Sequence, residues 1–188
     1  EECLANYQLT FRLVNNNQLD WTLTFEERKE GLKLNRTFFK FNKDEKENLY
    51  GLGEQFSHLK LNGLKIPLLT EEQGIGRGDF PITWGAEIMA GAGGNEFSTY
   101  APIPFLLSHS PKPKGYFFEN KSYSVMDLTS DDEIKFEVRE RGLSGTIWKG
   151  ENLSQILEQY TLKTGRFPAL PEWAYGTWLG MQGGKEKV

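Results

Sequence analysis

Three side chains in a glycine-rich stretch have the chemistry of a ligand site. Residues 71–78 read Glu-Glu-Gln-Gly-Ile-Gly-Arg-Gly, and Trp84 follows shortly afterwards. The Arg77 guanidinium is suited to an anion, the Gln73 amide both donates and accepts, and the Trp84 ring is suited to stacking on a sugar face. The structural alternatives are that Arg77 pairs with Asp79 or a helix end and that Trp84 belongs to the core. A phosphate-binding loop is excluded, because the G-x-G-x-x-G spacing and the Lys-Ser/Thr pair are missing.

Carboxylates also occur in this part of the chain, but the sequence assigns none of them a catalytic role. Glu54, Asp79 and Glu87 lie in or near the glycine-rich stretch. Loop carboxylates are mostly solvated or capping groups, and this is the expectation for all three. His58 and His109 lie far apart, with no His or Cys at metal-ligand spacing. No metal site and no cofactor are therefore expected.

The composition is that of a globular domain and disfavours several classes of protein. The chain has 188 residues, 38% of them hydrophobic, and a net charge of −4. Nucleic-acid binding is not expected, since no run rich in Lys or Arg occurs. Membrane insertion is not expected either, since no apolar stretch reaches about eighteen residues. The single cysteine, Cys3, excludes an internal disulfide and, with no signal peptide visible, favours a cytoplasmic protein.

Alternating apolar and polar residues predict a β-sandwich over residues 1–150. Two such runs, 7–13 and 19–25, flank the turn-forming Asn15-Asn16-Asn17 and predict a hairpin. Further strands are expected over 32–41, 100–108, 115–120, 122–128, 133–139 and 143–148. Periodicity is lost from Gly51 to Asn95, and this segment is expected to be an ordered, packed loop region.

One helix is predicted after the sandwich, in a linker that spans residues 151–170. Leu153, Ile156, Leu157 and Tyr160 recur at helical spacing. Asn152 is the expected N-cap, with Gln155 completing a capping box, and Gly165 is the expected end of the helix.

The remaining segment, residues 171–188, is expected to begin a second domain. Trp173 to Met181 is mostly apolar or small without alternation, which predicts a strand buried on both faces. A single strand of this kind cannot bury itself. An α/β domain that begins near Pro171 is therefore expected.

Three segments, taken in this order, resemble glycoside hydrolase family 31. They are Tyr-Gly-Leu-Gly-Glu-Gln-Phe at 50–56, the strand sequences at 100–104 and 115–123, and residues 159–174. The resemblance implies a mainly β fold, with a galactose-mutarotase-like β-sandwich, a linker helix and the first strand of a (β/α)₈ barrel. It also implies a retaining α-glycosidase that uses two aspartates and no metal or organic cofactor. Those aspartates would lie beyond Val188, so no catalytic residue is assigned here.

Two further segments resemble the sulfoquinovosidase branch of this family. They are residues 71–77 and the Leu-Gly-Met-Gln-Gly-Gly at 179–184, similar to the "GIQGG" of that branch. By this similarity Gln182 is a substrate-binding candidate, together with Gln73, Arg77 and Trp84. Its position fits, because (β/α)₈ barrels bind ligands at the C-terminal ends of their strands, and an amide suits a hydroxyl or a sulfonate oxygen. The alternative is that Gln182 merely satisfies backbone groups of a loop.

Two classes of function follow from these patterns. In the first, the parent enzyme hydrolyses α-sulfoquinovosides, or alternatively α-glucosides or α-xylosides, and the partners of this segment are the sugar and the rest of the barrel. In the second, the segment is a non-catalytic carbohydrate-binding β-sandwich. An aspartate-bearing barrel strand encoded after Val188 would favour the enzyme.

Overall fold

A computed structural model describes residues 5–27, 34–44 and 46–178. These residues form two antiparallel sheets that face each other. The first sheet has six strands in the order β1-β2-β10-β7-β6-β4, and the second has four strands in the order β3-β9-β8-β5. The strands are β1 Ala5–Asn15, β2 Gln18–Glu27, β3 Thr37–Asn42, β4 Asn48–Gly53, β5 Lys65–Leu68, β6 Pro102–His109, β7 Lys114–Phe118, β8 Ser124–Asp127, β9 Glu133–Val138 and β10 Leu143–Lys149.

Aromatic side chains from both sheets fill the space between them. Trp21 of β2 stacks on Phe39 of β3 with ring centroids 4.4 Å apart. Phe118 of β7 stacks on Phe136 of β9 at 4.2 Å. Stacked pairs of this kind add to the free energy gained by burying the rings. The high aromatic content of the sequence therefore serves the core in large part.

The predicted hairpin and five of the later strands are confirmed. β1 pairs with β2 in the expected way, with Phe11 opposite Trp21. The predicted third strand is shorter than expected, because residues 34–36 precede β3 without joining it, while 32 and 33 lie outside the described residues.

The prediction that residues 51–95 form loops alone is wrong. The segment contains the second half of β4, the whole of β5 and the helix α1, Ile82–Ala90. β4 has no alternating pattern because its end is left-handed, with Leu52 at φ 63° between two glycines of positive φ. At Gly53 a Cβ would collide with the carbonyl of Ala101, so only glycine fits there.

The predicted linker helix is confirmed as α2, Leu153–Thr164. The Asn152 side chain accepts a hydrogen bond from the Gln155 N–H at 3.0 Å. The Gln155 side chain accepts one in return from the Glu151 N–H at 3.0 Å. Gly165 ends the helix with φ 100°. The helix packs on the outer face of the six-stranded sheet, where Ile156 is fully buried with Phe105 and Trp148.

The prediction of a buried strand over residues 173–181 is wrong where the structure describes it. Glu172–Tyr175 form a 3-10 helix, and Trp173 and Trp178 are 71% and 72% exposed. A strand needs a neighbour for its backbone groups, and here those groups bond locally. The Ala174 N–H donates to the Pro171 carbonyl at 2.9 Å, for example. Residues 179–181 lie outside the described residues, and the division of the chain at 150 and 170 stays a prediction.

Candidate functional site

The glycine-rich stretch leaves the sandwich as a loop and helix excursion, defined here as residues 71–95. Single parallel bridges tie it back, between Thr70 and Thr99 and between Ile75 and Gly93. α1 follows Pro81 and ends at Gly91, whose left-handed conformation lets its N–H donate to the Glu87 carbonyl at 2.8 Å. The excursion is thus an ordered structure that is held at both ends.

Arg77 fastens the excursion to the segment before β6. Its guanidinium donates to the carbonyls of Ser98 and Glu96 at 3.0 and 2.9 Å. It also donates to the Ser57 hydroxyl at 3.4 Å, and it lies 5.0 Å from the Phe56 ring centroid. These partners are carbonyls and a hydroxyl rather than the Asp79 carboxylate or helix end considered from the sequence. Since a guanidinium has five N–H donors, two remain for another acceptor.

Trp84 lies on α1 and is 61% exposed, so the core role considered for it is wrong. Its ring is 6.3 Å from that of Phe80. No residue of α1 is buried. The excursion exposes a set of large apolar side chains, namely Ile75, Phe80, Ile82, Trp84, Ile88 and Met89. An exposed apolar group of this size on one excursion is typical of a surface that contacts another molecule or another part of the polypeptide.

Gln73 lies at the base of the excursion, half-buried, with its backbone against Gly94. Close by, the Tyr100 hydroxyl donates to Glu72. This hydrogen bond to a carboxylate raises the pKa of Tyr100, and partial desolvation adds to the effect. Tyr100 and Glu72 were not singled out from the sequence, since residues 28 positions apart carry no local signal of pairing.

The three acidic residues considered as candidates in the sequence, Glu54, Asp79 and Glu87, make local contacts. Glu54 accepts from the Thr99 hydroxyl at 3.3 Å, and Glu87 accepts from the Gly93 N–H at 3.0 Å. At Asp79 it is the backbone carbonyl that accepts, from the Thr83 N–H at 2.8 Å. The carboxylates of Glu54 and Glu87 thus make the bracing contacts expected from the sequence, whereas Asp79 takes part through its backbone.

An open recess of about 530 Å³ lies beside Arg77. His58 and Glu96 form part of its lining, and the His58 Nε2 lies 2.6 Å from a Glu96 carboxylate oxygen. The loop after Arg77 is tied to α1, because the Thr83 hydroxyl accepts a hydrogen bond from the Gly78 N–H at 2.8 Å. The fold therefore places Gln73, Arg77 and Trp84 on one excursion, whereas Gln182 lies outside the described residues.

The described part of the chain has no group of three or more His, Cys, Asp or Glu side chains arranged to hold a metal ion. Among the same residues, neither helix is long and apolar enough to cross a membrane.

Comparison with known proteins identifies the family. Residues 3–127 match the family described as "Glycosyl hydrolase 31 N-terminal galactose mutarotase-like domain". The match covers more than half of the chain. The chain belongs to glycoside hydrolase family 31, and the described residues form the mainly β domain that this family has at its N-terminus.

Two curated relatives are sulfoquinovosidases. The chain is 32% identical to that of Escherichia coli (strain K12) over 168 residues, which is 87% of this chain and 24% of the relative. It is 30% identical to that of Agrobacterium fabrum over 153 residues, 80% of this chain and 23% of the relative. The chain thus spans about a quarter of the length of these relatives.

A solved structure shares the fold. The GH31 family sulfoquinovosidase from E. rectale, in complex with the aza-sugar inhibitor IFGSQ, superposes with a TM-score of 0.72 at 22% identity. The superposition covers 92% of this chain and 31% of that one.

Proposed function

We propose that this chain is the N-terminal part of a retaining α-glycoside hydrolase that cleaves α-sulfoquinovosides. The observation that carries the proposal is the identity of 32% and 30% to two sulfoquinovosidases across most of the chain. The aligned length of 168 residues exceeds the galactose mutarotase-like match, which ends at residue 127. The similarity to the sulfoquinovosidases therefore extends past residues 3–127, which the family match covers.

The geometry of the excursion supports a role at the edge of a sugar site. Trp84 presents an exposed ring of the kind that stacks on a pyranose, and Arg77 keeps two N–H donors beside an open recess. The apolar side chains of α1 need a cover, and the rest of the polypeptide is the partner proposed for them. In this arrangement residues 71–95 form one wall of the substrate pocket, and Gln182 approaches it from the segment that follows the linker.

The proposed reaction is a double displacement. A carboxylate attacks the anomeric carbon and forms a covalent glycosyl-enzyme, while a second, protonated carboxyl group gives its proton to the leaving oxygen. The second group, now a carboxylate, then takes a proton from water, which displaces the first carboxylate and releases the sugar with its original configuration. Both carboxylates are expected beyond Val188, about 5–5.5 Å apart. The residues of this chain would bind and orient the sugar. Gln182 would donate to or accept from a hydroxyl or sulfonate oxygen, and Trp84 would fix the plane of the ring.

Hydrolysis assays of the full-length gene product test this proposal. Aryl α-sulfoquinovoside, aryl α-glucoside and aryl α-xyloside are compared by kcat/KM, and NMR follows the anomer that is first released. The expected result is the highest kcat/KM on the sulfoquinovoside with the α-anomer formed first. A preference for a neutral sugar would support the α-glucosidase or α-xylosidase alternative. If none of the three substrates is hydrolysed, the proposed glycosidase activity is refuted and the carbohydrate-binding module is the remaining alternative.

Two variants test the residues assigned to the pocket. Gln182→Ala is expected to lower kcat/KM on the sulfoquinovoside about tenfold to a hundredfold, because one hydrogen bond to a charged group is worth about 1.5–3 kcal/mol. Trp84→Ala is expected to lower it about threefold to tenfold through the lost stacking. Phe38→Ala is the matched control, since Phe38 is an exposed aromatic on β3. An unchanged kcat/KM in both pocket variants would remove these residues from the proposed site.

A further inference from the structure

The strand β1 is an open edge of the six-stranded sheet. Among the described residues no strand pairs with its outer side, because β1 stands last in the strand order. It is eleven residues long, and its register with β2 is regular from Ala5 to Leu13. From Asn6 onward its outer backbone N–H and C=O groups therefore form a template for another strand.

The other three edges carry features that hinder such pairing. β4 is interrupted by the left-handed Leu52 and a register shift before Gly53. β5 has only four residues, one of them Pro67. β3 has six residues and presents Lys40, paired with Glu133. Short strands, proline, bulges and lysine are the means by which natural sheets block edge-to-edge association. β1 contains no proline or glycine, and its one charged side chain, Arg12, is bound to Asp20 at 2.8 Å.

An uncovered apolar strip accompanies this open edge. Tyr7, Leu9, Phe11 and Leu13 lie opposite Phe25, Leu23, Trp21 and Leu19, and opposite residues in a pair of strands share a face. The strip therefore lies on the face that forms the core further along the sheet. It is exposed, with Tyr7 at 72%, Phe11 at 55% and Leu13 at 69%, although each of these residues continues the apolar pattern of β2. The stacking of Trp21 on Phe39 shows that the edge strand of the four-stranded sheet reaches β2.

We propose that β1 pairs antiparallel with β1 of a second copy of this chain, which joins the two six-stranded sheets into one. This inference is independent of the proposed enzymatic activity. With Leu9 on the two-fold axis, Tyr7 lies opposite Phe11 of the second copy and Gln8 lies opposite Thr10. Odd-numbered residues then face odd-numbered residues, so the two strips meet on the same face.

The side chains of β1 favour a second copy as the occupant, because the strand is compatible with itself. A strand can pair with itself only if no like charges become neighbours, and in this register Arg12 lies opposite Asn6. Edge-to-edge pairing leaves this face of the sheet open, so the side chains of the two strips touch only along their edges, as Tyr7 does with Phe11 and Leu9 with Leu9 of the second copy. Such a contact is smaller than the roughly 1,200–2,000 Å² of a specific, stable interface. The expected dimer is therefore a concentration-dependent one.

Sedimentation velocity on the full-length gene product, over a series of protein concentrations, tests the dimer. The wild type is expected to pass from monomer to dimer as the concentration rises. Leu9→Lys places two lysines face to face on the axis and is expected to raise the dimer dissociation constant at least about tenfold, which is about 1.4 kcal/mol. Thr24→Lys is the matched control. It adds the same charge at an exposed position of β2, one strand away from the edge, and leaves the dissociation constant unchanged.

Disulfide trapping tests the register without relying on a lysine in the sheet. In a Cys3→Ser background, Leu9→Cys is expected to give a covalent dimer under mild oxidation, because directly opposite Cα atoms lie about 4.5–5.5 Å apart. Thr24→Cys is expected not to do so. A wild type that stays monomeric at every concentration overturns the proposal, and protection of the β1 amides from hydrogen exchange in that monomer would identify another segment of the same polypeptide as the cover. The proposal is also overturned if the protein forms a dimer whose dissociation constant is unchanged by Leu9→Lys and which is not trapped by Leu9→Cys. Such a dimer must use another surface.

Discussion

The contact between Gly115 and Ile156 offers a sharp test of how the linker helix is fixed to the sandwich. Gly115 lies in β7, and Ile156 is the one buried residue of α2. A methyl group added at Gly115 would fall well inside van der Waals distance of the Ile156 Cγ2 and 3.1 Å from the Phe105 ring. The two substitutions Gly115→Ala and Ile156→Ala should therefore compensate each other.

The expected energies follow from what each change does to the packing. Ile156→Ala removes three buried carbons, which costs about 2.4 kcal/mol of transfer free energy and about 2–5 kcal/mol once the cavity is included. Gly115→Ala alone overpacks the contact and costs about 1–3 kcal/mol. In the double variant the new methyl occupies space that Ile156 has vacated. The double variant should therefore be more stable than the sum of the single changes predicts, by about 1–3 kcal/mol.

Urea unfolding of the 188-residue chain measures these free energies. Trp148 reports on the contact through its fluorescence, since its ring lies 6.1 Å from Phe105 and 6.3 Å from Tyr160. Far-UV circular dichroism supplies a second probe, and coincident transitions establish the two-state behaviour that the comparison requires.

Pairing Gly115→Ala with Leu157→Ala is the control. Leu157 is the next residue of α2 but is substantially exposed, so its two changes should add within about 0.5 kcal/mol. If Gly115→Ala and Ile156→Ala were also additive within that margin, the packing of α2 on β7 described here would be wrong.

Two further predictions concern the helix cap and a surface carboxylate. Asn152→Ala is expected to lower the free energy of unfolding by about 1 kcal/mol, because the Gln155 N–H loses its acceptor. Urea unfolding measures this change, with substitution of the exposed Ser154 by alanine as the control. Equal stability of Asn152→Ala and the wild type would contradict the cap. At Asp20 burial acts to raise the pKa, but hydrogen bonds from Arg12, Gln18 and Thr146 outweigh it and hold the pKa below its ordinary 3.8. A lowered carboxylate pKa stabilises the fold above about pH 4 and loses that effect as the pH falls through the folded-state value. Thermal melts from about pH 7 to pH 3 should therefore show the stability advantage of wild type over Asp20→Asn shrinking below about pH 4, and an advantage independent of pH would refute this account.

Elements whose own residues carry the signal were predictable from the sequence. The β1–β2 hairpin follows from two alternating runs around asparagines, and α2 follows from an N-cap, a helical apolar spacing and a terminal glycine. Each signal is local, so it survives without knowledge of the rest of the fold. The resemblance to family 31 was also readable, because ordered short motifs do not depend on tertiary contacts.

The missed elements depend on contacts distant in sequence. β4 lacks an alternating pattern because it pairs with β6 across a left-handed break, and β5 is a short strand that forms against β8. α1 has no buried residue, so no amphipathic pattern marks it. The apolar side chains of α1 are consistent with a packed loop region in the sequence, whereas the fold leaves them exposed.

The candidate site divides in the same way. The types and spacing of Gln73, Arg77 and Trp84 mark a site in the sequence. Only the fold decides that three of the five N–H groups of Arg77 bond to Ser98, Glu96 and Ser57 and that Trp84 is exposed.

Local patterns and ordered motifs were enough to predict the family, the mainly β class and the boundaries of the helix α2. The tertiary structure alone decided which apolar faces are covered. The same alternation that buries Trp21 and Leu23 in β2 leaves Tyr7 and Phe11 exposed in β1. Burial depends on whether the facing sheet extends over a side chain. The residues of a single strand do not show where the facing sheet ends.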